Sequence, residues 1–222
     1  MDFQPSERSI ELSRALRTFI DDTIVPARPT YHDAVAAAPT EQPAVMHELQ
    51  HAARAAGLWN LCVRDPEHGP GLSSVEYAPL AEMMGPHPLA QEATNCDPPS
   101  NINADAMFIY GSHEQREQWL LPQLDGRIKS AFAMTEPAVA SSDAANIATT
   151  AELRGDSWVL NGRKWYISGM LHPLCSYMMT VANTDPDAGP HGRHTQFIVP
   201  LDTPGVEVVR DLPKFGYVDT HG

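Results

Sequence analysis

The sequence predicts an α+β protein, with an all-helical domain over residues 1–129 and a β domain over residues 130–222. Up to Lys129, apolar residues recur at helical spacing between capping residues and glycine or proline stops. After Lys129 the apolar residues follow a period of two, and Gly and Asn turn signals separate short segments. The length of 222 residues is sufficient for one large domain or two small ones.

The first predicted helix covers residues 6–24, where apolar side chains recur at helical spacing. Ser6 is the expected N-cap, and Pro26 is expected to stop the helix. Residues 28–43, which are rich in alanine and punctuated by proline, predict a short helix with loops.

Further helices are predicted in the same domain, each bounded by a cap or a stop signal. A helix over residues 43–56 ends at Gly57, and residues 58–63 are expected to be extended. The later helices are predicted over residues 73–84 with Ser73 as N-cap, residues 95–110, and residues 112–124 with Ser112 as N-cap.

The β domain is predicted from a hairpin and several later strands. Gly155-Asp156 is the expected turn between strands at residues 150–154 and 158–160, and Asn161-Gly162 signals the turn into a next strand. Further strands are expected over residues 175–182, 195–199 and 206–210.

Composition excludes several classes of function. The 15 basic residues against 28 acidic ones give a net charge of −13, which argues against a nucleic-acid partner. No uncharged apolar run is long enough to span a membrane, and the N-terminus has no secretory h-region. The three scattered cysteines predict reduced thiols in a cytoplasmic protein. None of the ten histidines stands at ligand spacing from a cysteine or carboxylate, so no metal site is expected.

Residues 131–169 carry the clearest functional pattern. A loop rich in hydroxyls and small side chains follows Thr135-Glu136-Pro137, and such a loop can bring backbone N–H groups close to an anion. Later, Trp165 and Tyr166 stand close to Ser168, a suitable wall for a flat polar ring system. Together the two segments predict a site for a large nucleotide cofactor.

These residues resemble the flavin-binding signature of the acyl-CoA dehydrogenases. The matching runs are Thr135-Glu136-Pro137, Ser142-Asp143 and Gly162-Arg163-Lys164-Trp165-Tyr166-Ile167-Ser168, and they are most similar to the branch that is fused to a phosphotransferase-like domain in animals. The family pattern has glycines after the proline, whereas this chain has Ala138, Val139, Ala140 and Ser141, which makes its loop stiffer.

The resemblance implies FAD as cofactor and an acyl-CoA as substrate, with a role for each matching residue. Ser168 would donate a hydrogen bond near flavin N5, and Tyr166 would pack on the ring edge. The remaining cofactor residues implied by the match are Phe132, Met134, Thr135, Ser141, Ser142 and Ile167. Ser142 would meet the pyrophosphate or the CoA ester. Asn95 and Ile102 would line the acyl tunnel, although core packing explains them equally well.

Two residues of the motif have simpler interpretations. Glu136 is its only carboxylate before the loop, and the proline that follows favours a structural or capping role over that of a base. Trp165 is expected to face away from Tyr166, because side chains alternate along a strand.

The resemblance also implies an incomplete antiparallel β-barrel and a missing C-terminal four-helix bundle. Residues 215–222 resemble the approach to a next strand, and the family's glutamate base would lie beyond Gly222. We therefore expect no catalytic base in this chain, no activity of the chain alone, and homo- or hetero-oligomers.

The full enzyme would oxidise an acyl-CoA to the trans-2-enoyl-CoA and pass electrons to an electron-transfer flavoprotein or a similar acceptor. Two alternatives stay open: a flavin oxidase or monooxygenase on the same fold, and a non-catalytic subunit or binding module.

Overall fold

A computed structural model describes residues 4–213, which divide into two compact units between Ile128 and Lys129. The first unit is helical and the second is built on a β-sheet, so the predicted class is confirmed. Within residues 4–213 no helix is both long and apolar enough to cross a lipid bilayer.

The helical unit contains eight α-helices within its described residues. They are α1 Glu7–Phe19, α2 Val25–Ala37, α3 Ala44–Ala55, α4 Ser74–Met84, α5 Pro88–Ala93, α6 Ser100–Tyr110, α7 His113–Gln115 and α8 Leu121–Leu124. Ser6, Ser73 and Ser112 are N-caps as predicted, and each hydroxyl accepts a hydrogen bond from a backbone N–H in the first turn. Ser73 and Ser112 belong to reciprocal capping boxes, which fix where α4 and α7 begin.

The predicted stop at Pro26 is wrong, because the backbone stays helical from α1 through α2. A π-helical segment, Ile20–Ile24, joins the two helices, and the Val25 N–H donates to the Ile20 carbonyl. Pro26 then lies in the first turn of α2, where a missing N–H costs little. The loops expected over residues 28–37 are therefore absent.

Two other helical-unit predictions need correction. Residues 58–63 form turns rather than an extended piece, with Asn60 at a φ of 56°. The helix expected over residues 95–110 begins only at Ser100, because Asn95 also has a left-handed φ of 57° and prolines 98 and 99 follow. Asparagine is one of the few residues that adopt this conformation readily.

The core of the helical unit is apolar and draws on α1 to α5 and the turns between them. Leu16, Ile24, Met46, Leu58 and Leu61 are all fully buried. Leu58 and Leu61 flank the turn at Asn60, so this turn is part of the core rather than a surface loop.

The second unit contains a five-stranded sheet in its described residues. The strands are β1 Lys129–Ala133, β2 Thr150–Arg154, β3 Ser157–Asn161, β4 Cys175–Asn183 and β5 His194–Pro200. The predicted hairpin is confirmed, with Ala151 opposite Leu160, and β4 pairs antiparallel with β5.

The sheet is mixed, not antiparallel as expected. β1 runs parallel to β4, and Phe132 lies opposite Met179. β2 also meets β4 in parallel, at Thr150 opposite Asn183. After β1 the chain forms the β2–β3 hairpin of the same sheet, and it then returns along β1 as β4, in the same direction as β1.

Two predicted strands are absent from the described residues. Residues 162–167 and 206–210 have no regular secondary structure. In the first segment, backbone groups pair with the loop after β1 instead of with a neighbouring strand, as described below. The expected approach to a further strand at residues 215–222 lies outside the described residues.

Candidate functional site

Lys164 lies where the parallel strands leave a gap along one edge of β4. β5 occupies the other edge, while β1 pairs up to Thr180 and β2 joins only at Asn183. The Lys164 ammonium donates to the Val181 carbonyl in this gap at 2.8 Å. It also donates at 2.9 Å to the carbonyl of Met134, the residue directly after β1. One side chain thus satisfies carbonyls that the strand pairing leaves unpaired.

Glu136 is the ionic partner of Lys164. Its carboxylate is 2.8 Å from the Lys164 ammonium, and the two side chains are only 4% and 11% exposed. The same carboxylate accepts the backbone N–H groups of Ala148 and Thr149 at 2.8 and 2.9 Å, together with the Thr149 hydroxyl. Burial raises the pKa of Glu136, but hydrogen bonds from Lys164 and Thr149 outweigh burial and lower the pKa to about 2.

A carboxylate with these partners holds the chain together and does not accept a substrate proton near neutral pH. The observed role of Glu136 is therefore structural. The sequence motif includes Lys164. Its neighbours in the chain, however, give no signal that the Lys164 ammonium is buried, so the sequence did not predict this ion pair.

Gly162 makes the close packing of this network possible. A Cβ built on Gly162 would lie 2.6 Å from the Thr149 Cβ and would overlap the Thr149 hydroxyl oxygen. Because Thr149 also donates to Glu136, a side chain at position 162 would disturb the Glu136 carboxylate through Thr149.

Thr135 and Trp165 form a second connection between the two motif segments. The Trp165 N–H donates to the Thr135 carbonyl at 3.1 Å, and the Thr135 hydroxyl donates to the Trp165 carbonyl at 2.6 Å. The predicted motif residues on either side of the loop are thus joined directly. Phe132 lies in β1 and Met134 follows it, and both side chains are half-buried.

The hydroxyls of the loop after Pro137 face different surroundings. The buried Ser141 hydroxyl accepts the Glu136 N–H at 2.7 Å and donates to the Glu136 carbonyl, so it closes the loop on itself. Ser142 is exposed. Asp143 accepts the Ala145 N–H and caps a short 3₁₀ helix, Ala144–Asn146. Of the two serines, Ser142 is the one open to an incoming anion.

A cleft of about 690 Å³ lies beside the second motif segment. Its wall includes two aromatic side chains, Trp165 and Tyr166, with ring centroids 5.0 Å apart and planes tilted by 59°. Tyr166 has a φ of 51°, so the segment turns here instead of continuing as a strand. The expectation that Trp165 faces away from Tyr166 is therefore wrong.

The rest of the cleft wall combines apolar and charged groups. Ile167, Met178 and Val199 contribute apolar surface. Arg163 and Arg210 contribute positive charge, and Glu207 and Asp211 contribute negative charge. Ser168 follows Ile167 and is half-buried. Adjacent aromatic rings and apolar side chains suit a ligand with a ring system, and the arginines offer local contacts for its anionic groups.

Asn95, predicted to line an acyl tunnel, is buried inside the helical unit. Its amide nitrogen donates to the Asn60 side-chain oxygen at 2.7 Å and to the Gln123 carbonyl at 3.1 Å. Ile102, in contrast, is 57% exposed and lines a small cleft of about 200 Å³ in the same unit. The hydrogen bonds of the Asn95 amide thus give this residue a packing and capping role in the helical unit.

The prediction that no histidine stands at ligand spacing from a carboxylate is wrong for His68. Its Nδ1 lies 2.8 Å from Asp65 Oδ1. Asp65, Glu67 and His68 form a group with metal-ligand geometry in the described part of the chain. The Asp65 carboxylate also accepts the backbone N–H groups of Glu67 and His68, so a turn of the chain accounts for this grouping.

Known proteins are similar to this chain in sequence and fold. Residues 6–127 match the N-terminal domain of acyl-CoA dehydrogenases, and residues 131–221 match the middle domain. The chain is 44% identical over 226 residues to probable acyl-CoA dehydrogenase FadE2 of Mycobacterium tuberculosis, which covers 100% of this chain and 55% of that protein. It is 41% identical over 218 residues to acyl-CoA dehydrogenase family member 10 of Mus musculus, covering 96% of this chain and 20% of that protein.

A comparison with solved structures indicates the same family. A solved structure from Mycobacterium abscessus, provisionally named as an acyl-CoA dehydrogenase, has a TM-score of 0.92 at 46% identity. The match covers 99% of this chain and 56% of that chain. The chain therefore belongs to the acyl-CoA dehydrogenase family. The chain spans about half the length, or less, of these relatives.

Proposed function

We propose that this chain is the flavin-binding part of an FAD-dependent dehydrogenase that converts a saturated acyl-CoA to its trans-2-enoyl-CoA. The observation that carries the proposal is the cleft beside Trp165 and Tyr166, whose wall is fixed to the first motif segment by Lys164 and Thr135. Family membership supports the reaction class.

The described residues fit a flavin nucleotide. The 690 Å³ cleft has two aromatic side chains that could border a ring system and two arginines, Arg163 and Arg210, that could meet phosphate groups. FAD would supply the acceptor for the substrate's β-hydride. Tyr166 and Ile167 would border the ring, and Ser168 would donate a hydrogen bond to its polar edge.

The first motif segment would complete the site. Phe132, Met134 and Thr135 would contact the polar rim of the ring, and Thr135 keeps its hydroxyl on Trp165 while its backbone stays close to the cleft wall. Ser142, exposed in the loop, would bind a phosphate or the CoA ester, and Ser141 would hold the loop closed behind it.

The proton of the substrate's α-carbon needs a base that the motif does not offer. Several donors occupy the oxygens of the buried Glu136 carboxylate, and its lowered pKa makes it a weak base, so it is not suited to this step. The relatives extend well beyond the region shared with this chain. We therefore propose that the base lies outside the motif and that this chain alone shows no turnover with acyl-CoA and an artificial electron acceptor.

Partners and location follow from the proposed reaction. Two electrons leave the substrate in each turnover, so an electron-transfer flavoprotein or similar acceptor would receive them. A homo- or hetero-oligomer is proposed because family domains pack against further helices. The odd number and wide sequence spacing of Cys62, Cys96 and Cys175 support a cytoplasmic location.

Titration of the purified chain with FAD, followed by quenching of flavin fluorescence, tests the cofactor assignment. We expect stoichiometric binding that Ser168→Ala weakens by about tenfold, since a lost hydrogen bond to a buried polar group costs about 1–3 kcal/mol. Ser176→Ala is the matched control, because the Ser176 hydroxyl makes a local hydrogen bond to the Leu174 carbonyl, two residues earlier, at 3.2 Å.

The two serine variants separate the possible results. Equal FAD affinity in both variants would mean that Ser168 does not contact the cofactor. If the wild-type chain fails to bind FAD at all, the flavin-site proposal is contradicted and the binding-module interpretation gains support.

A further inference from the structure

Two cysteines of the helical unit lie on chain segments that are fastened to each other. The Asn60 N–H donates to the Thr94 carbonyl at 2.9 Å, and the Asn95 amide donates to the Asn60 side chain at 2.7 Å. Cys62 and Cys96 follow directly along these two segments. Their spacing is therefore set by hydrogen bonds that do not involve the sulfur atoms.

The two thiols are close partners. Cys62 Sγ lies 3.8 Å from the carbonyl oxygen of Asn95, the residue before Cys96, and Cys96 Sγ lies 3.4 Å from the Thr94 carbonyl. The side chains also influence each other: the Cys96 thiol raises the pKa of Cys62, and the Cys62 thiol and the Tyr77 hydroxyl lower the pKa of Cys96. Both thiols are reduced in the structure.

Only one of the pair reaches solvent readily. Cys96 is 3% exposed, whereas Cys62 is half-buried and lines the cleft of about 200 Å³ that also contains Ile102. A small oxidant can therefore meet Cys62 first, with Cys96 directly behind it. Neither thiol has a part in the proposed flavin site.

We propose that Cys62 and Cys96 form a site of reversible oxidation, at which hydrogen peroxide converts the two thiols to an intramolecular disulfide. In the first step Cys62 sulfur attacks one peroxide oxygen, the O–O bond breaks, and water leaves with the thiol proton, giving a sulfenic acid. In the second step Cys96 sulfur attacks Cys62 sulfur, the S–O bond breaks, and a second water leaves. Each sulfur loses one electron and the peroxide gains two.

The environment of the pair favours the second step and slows the first. Burial raises the pKa of Cys96, but hydrogen bonds from Cys62 and Tyr77 lower it overall, so Cys96 is the better nucleophile for the second step. The hydrogen bond with Cys96 and then burial raise the pKa of Cys62, which slows the first step and makes the reaction depend on the peroxide dose.

Peptide mass spectrometry of the purified chain tests the proposal. The chain is treated with hydrogen peroxide, its remaining thiols are alkylated, and the tryptic peptides are compared with and without dithiothreitol. We expect a cross-linked peptide pair containing Cys62 and Cys96, lighter by two hydrogens than the separate peptides, that dithiothreitol releases. The oxidised chain should also melt several degrees higher, because the link shortens the unfolded chain.

Three variants make the outcome decisive. Cys175→Ser, in strand β4 of the other unit, should form the cross-link as well as the wild type does. Cys62→Ser and Cys96→Ala should form none, with unchanged circular dichroism as the check that both fold. Oxidation of single thiols to sulfinic acid without a cross-link, or a cross-link that includes Cys175 or joins two chains, would overturn the proposal.

Discussion

Each unit has a network that fixes buried polar groups, and the two networks use opposite means. In the helical unit the Leu124 carbonyl, at the end of α8, accepts from Trp59 Nε1 at 2.9 Å and from the Asn60 amide at 3.1 Å. Asn95 adds its own amide at 3.4 Å. Every donor is neutral, and the network satisfies carbonyls that a helix end leaves unpaired.

In the sheet unit the corresponding fastening is ionic. Lys164 and Glu136 lose solvation, and their attraction and hydrogen bonds offset that loss only while both partners are present. Neutral donors satisfy the Leu124 carbonyl, whereas the charged pair joins two separate loops beside the cleft. The difference suggests that the ionic network is retained for the geometry of the motif rather than for stability.

Removing the charge of Lys164 should give the largest loss in the free energy of unfolding. Lys164→Met leaves the buried Glu136 carboxylate without its cation and leaves the Met134 and Val181 carbonyls without their donor. We expect a loss of about 3–5 kcal/mol in the free energy of unfolding of the sheet unit. Urea denaturation followed by tryptophan fluorescence measures it.

The double variant Lys164→Met, Glu136→Gln is the control for this prediction. It removes both charges, so its loss should be clearly smaller than the sum of the two single losses. Additive losses would show that the pair is not coupled and would remove the contrast with the neutral network.

The next effect in size is the pH dependence that Glu136 contributes to the free energy of unfolding. The folded pKa of Glu136, about 2, lies below its ordinary value of 4.5, so the folded state binds fewer protons than the unfolded state between these values. Its contribution, up to about 3 kcal/mol, is therefore complete above pH 4.5 and is lost as the pH falls towards 2.

Stability measured by urea denaturation from pH 6 to pH 3 in the wild type and in Glu136→Gln checks this dependence. The wild type should lose more stability over this range than the variant, in which the group cannot titrate. Parallel pH profiles would mean that Glu136 has an ordinary pKa in the folded chain.

The sequence predicted those features that depend on neighbours in the chain. The caps at Ser6, Ser73 and Ser112 and the hairpin at Gly155 depend on residues within a few positions, and all are confirmed. The motif also indicated the cleft wall at Tyr166 and Ile167.

Features that depend on distant partners were not predictable in this way. Lys164 meets Met134 thirty residues away, and Asn95 meets Asn60 thirty-five residues away. The parallel pairing of β1 with β4 is also non-local, and periodicity carries no information on strand direction. The stop expected at Pro26 failed because a π-helical segment places the proline in a helical first turn.

A smaller effect is expected from the contact that supports the ionic network. Gly162→Ala forces a methyl group against Thr149, which must shift away from Glu136. We expect a loss of about 1–3 kcal/mol in the free energy of unfolding, typical of overpacking, and weaker FAD binding. Gly189→Ala is the matched control, because a Cβ there meets nothing within 4 Å. Equal stability of the two variants would contradict the close packing at Gly162.

The smallest effect separates hydrogen bonding from backbone conformation in the neutral network. Asn95→Gly and Asn95→Ala both remove the amide that serves Asn60, Gln123 and Leu124, but only glycine adopts the φ of 57° without strain. The left-handed φ strains alanine by about 1–2 kcal/mol. Alanine also gains less backbone entropy than glycine on unfolding, and this offsets about 0.4–1 kcal/mol of the strain. Asn95→Ala should therefore be less stable than Asn95→Gly by roughly 0.5–1 kcal/mol, measured by urea denaturation, with the difference the same at pH 6 and pH 3. A difference that changes with pH would show that the helical network is coupled to a charge, and a more stable alanine variant would show that position 95 tolerates an ordinary conformation.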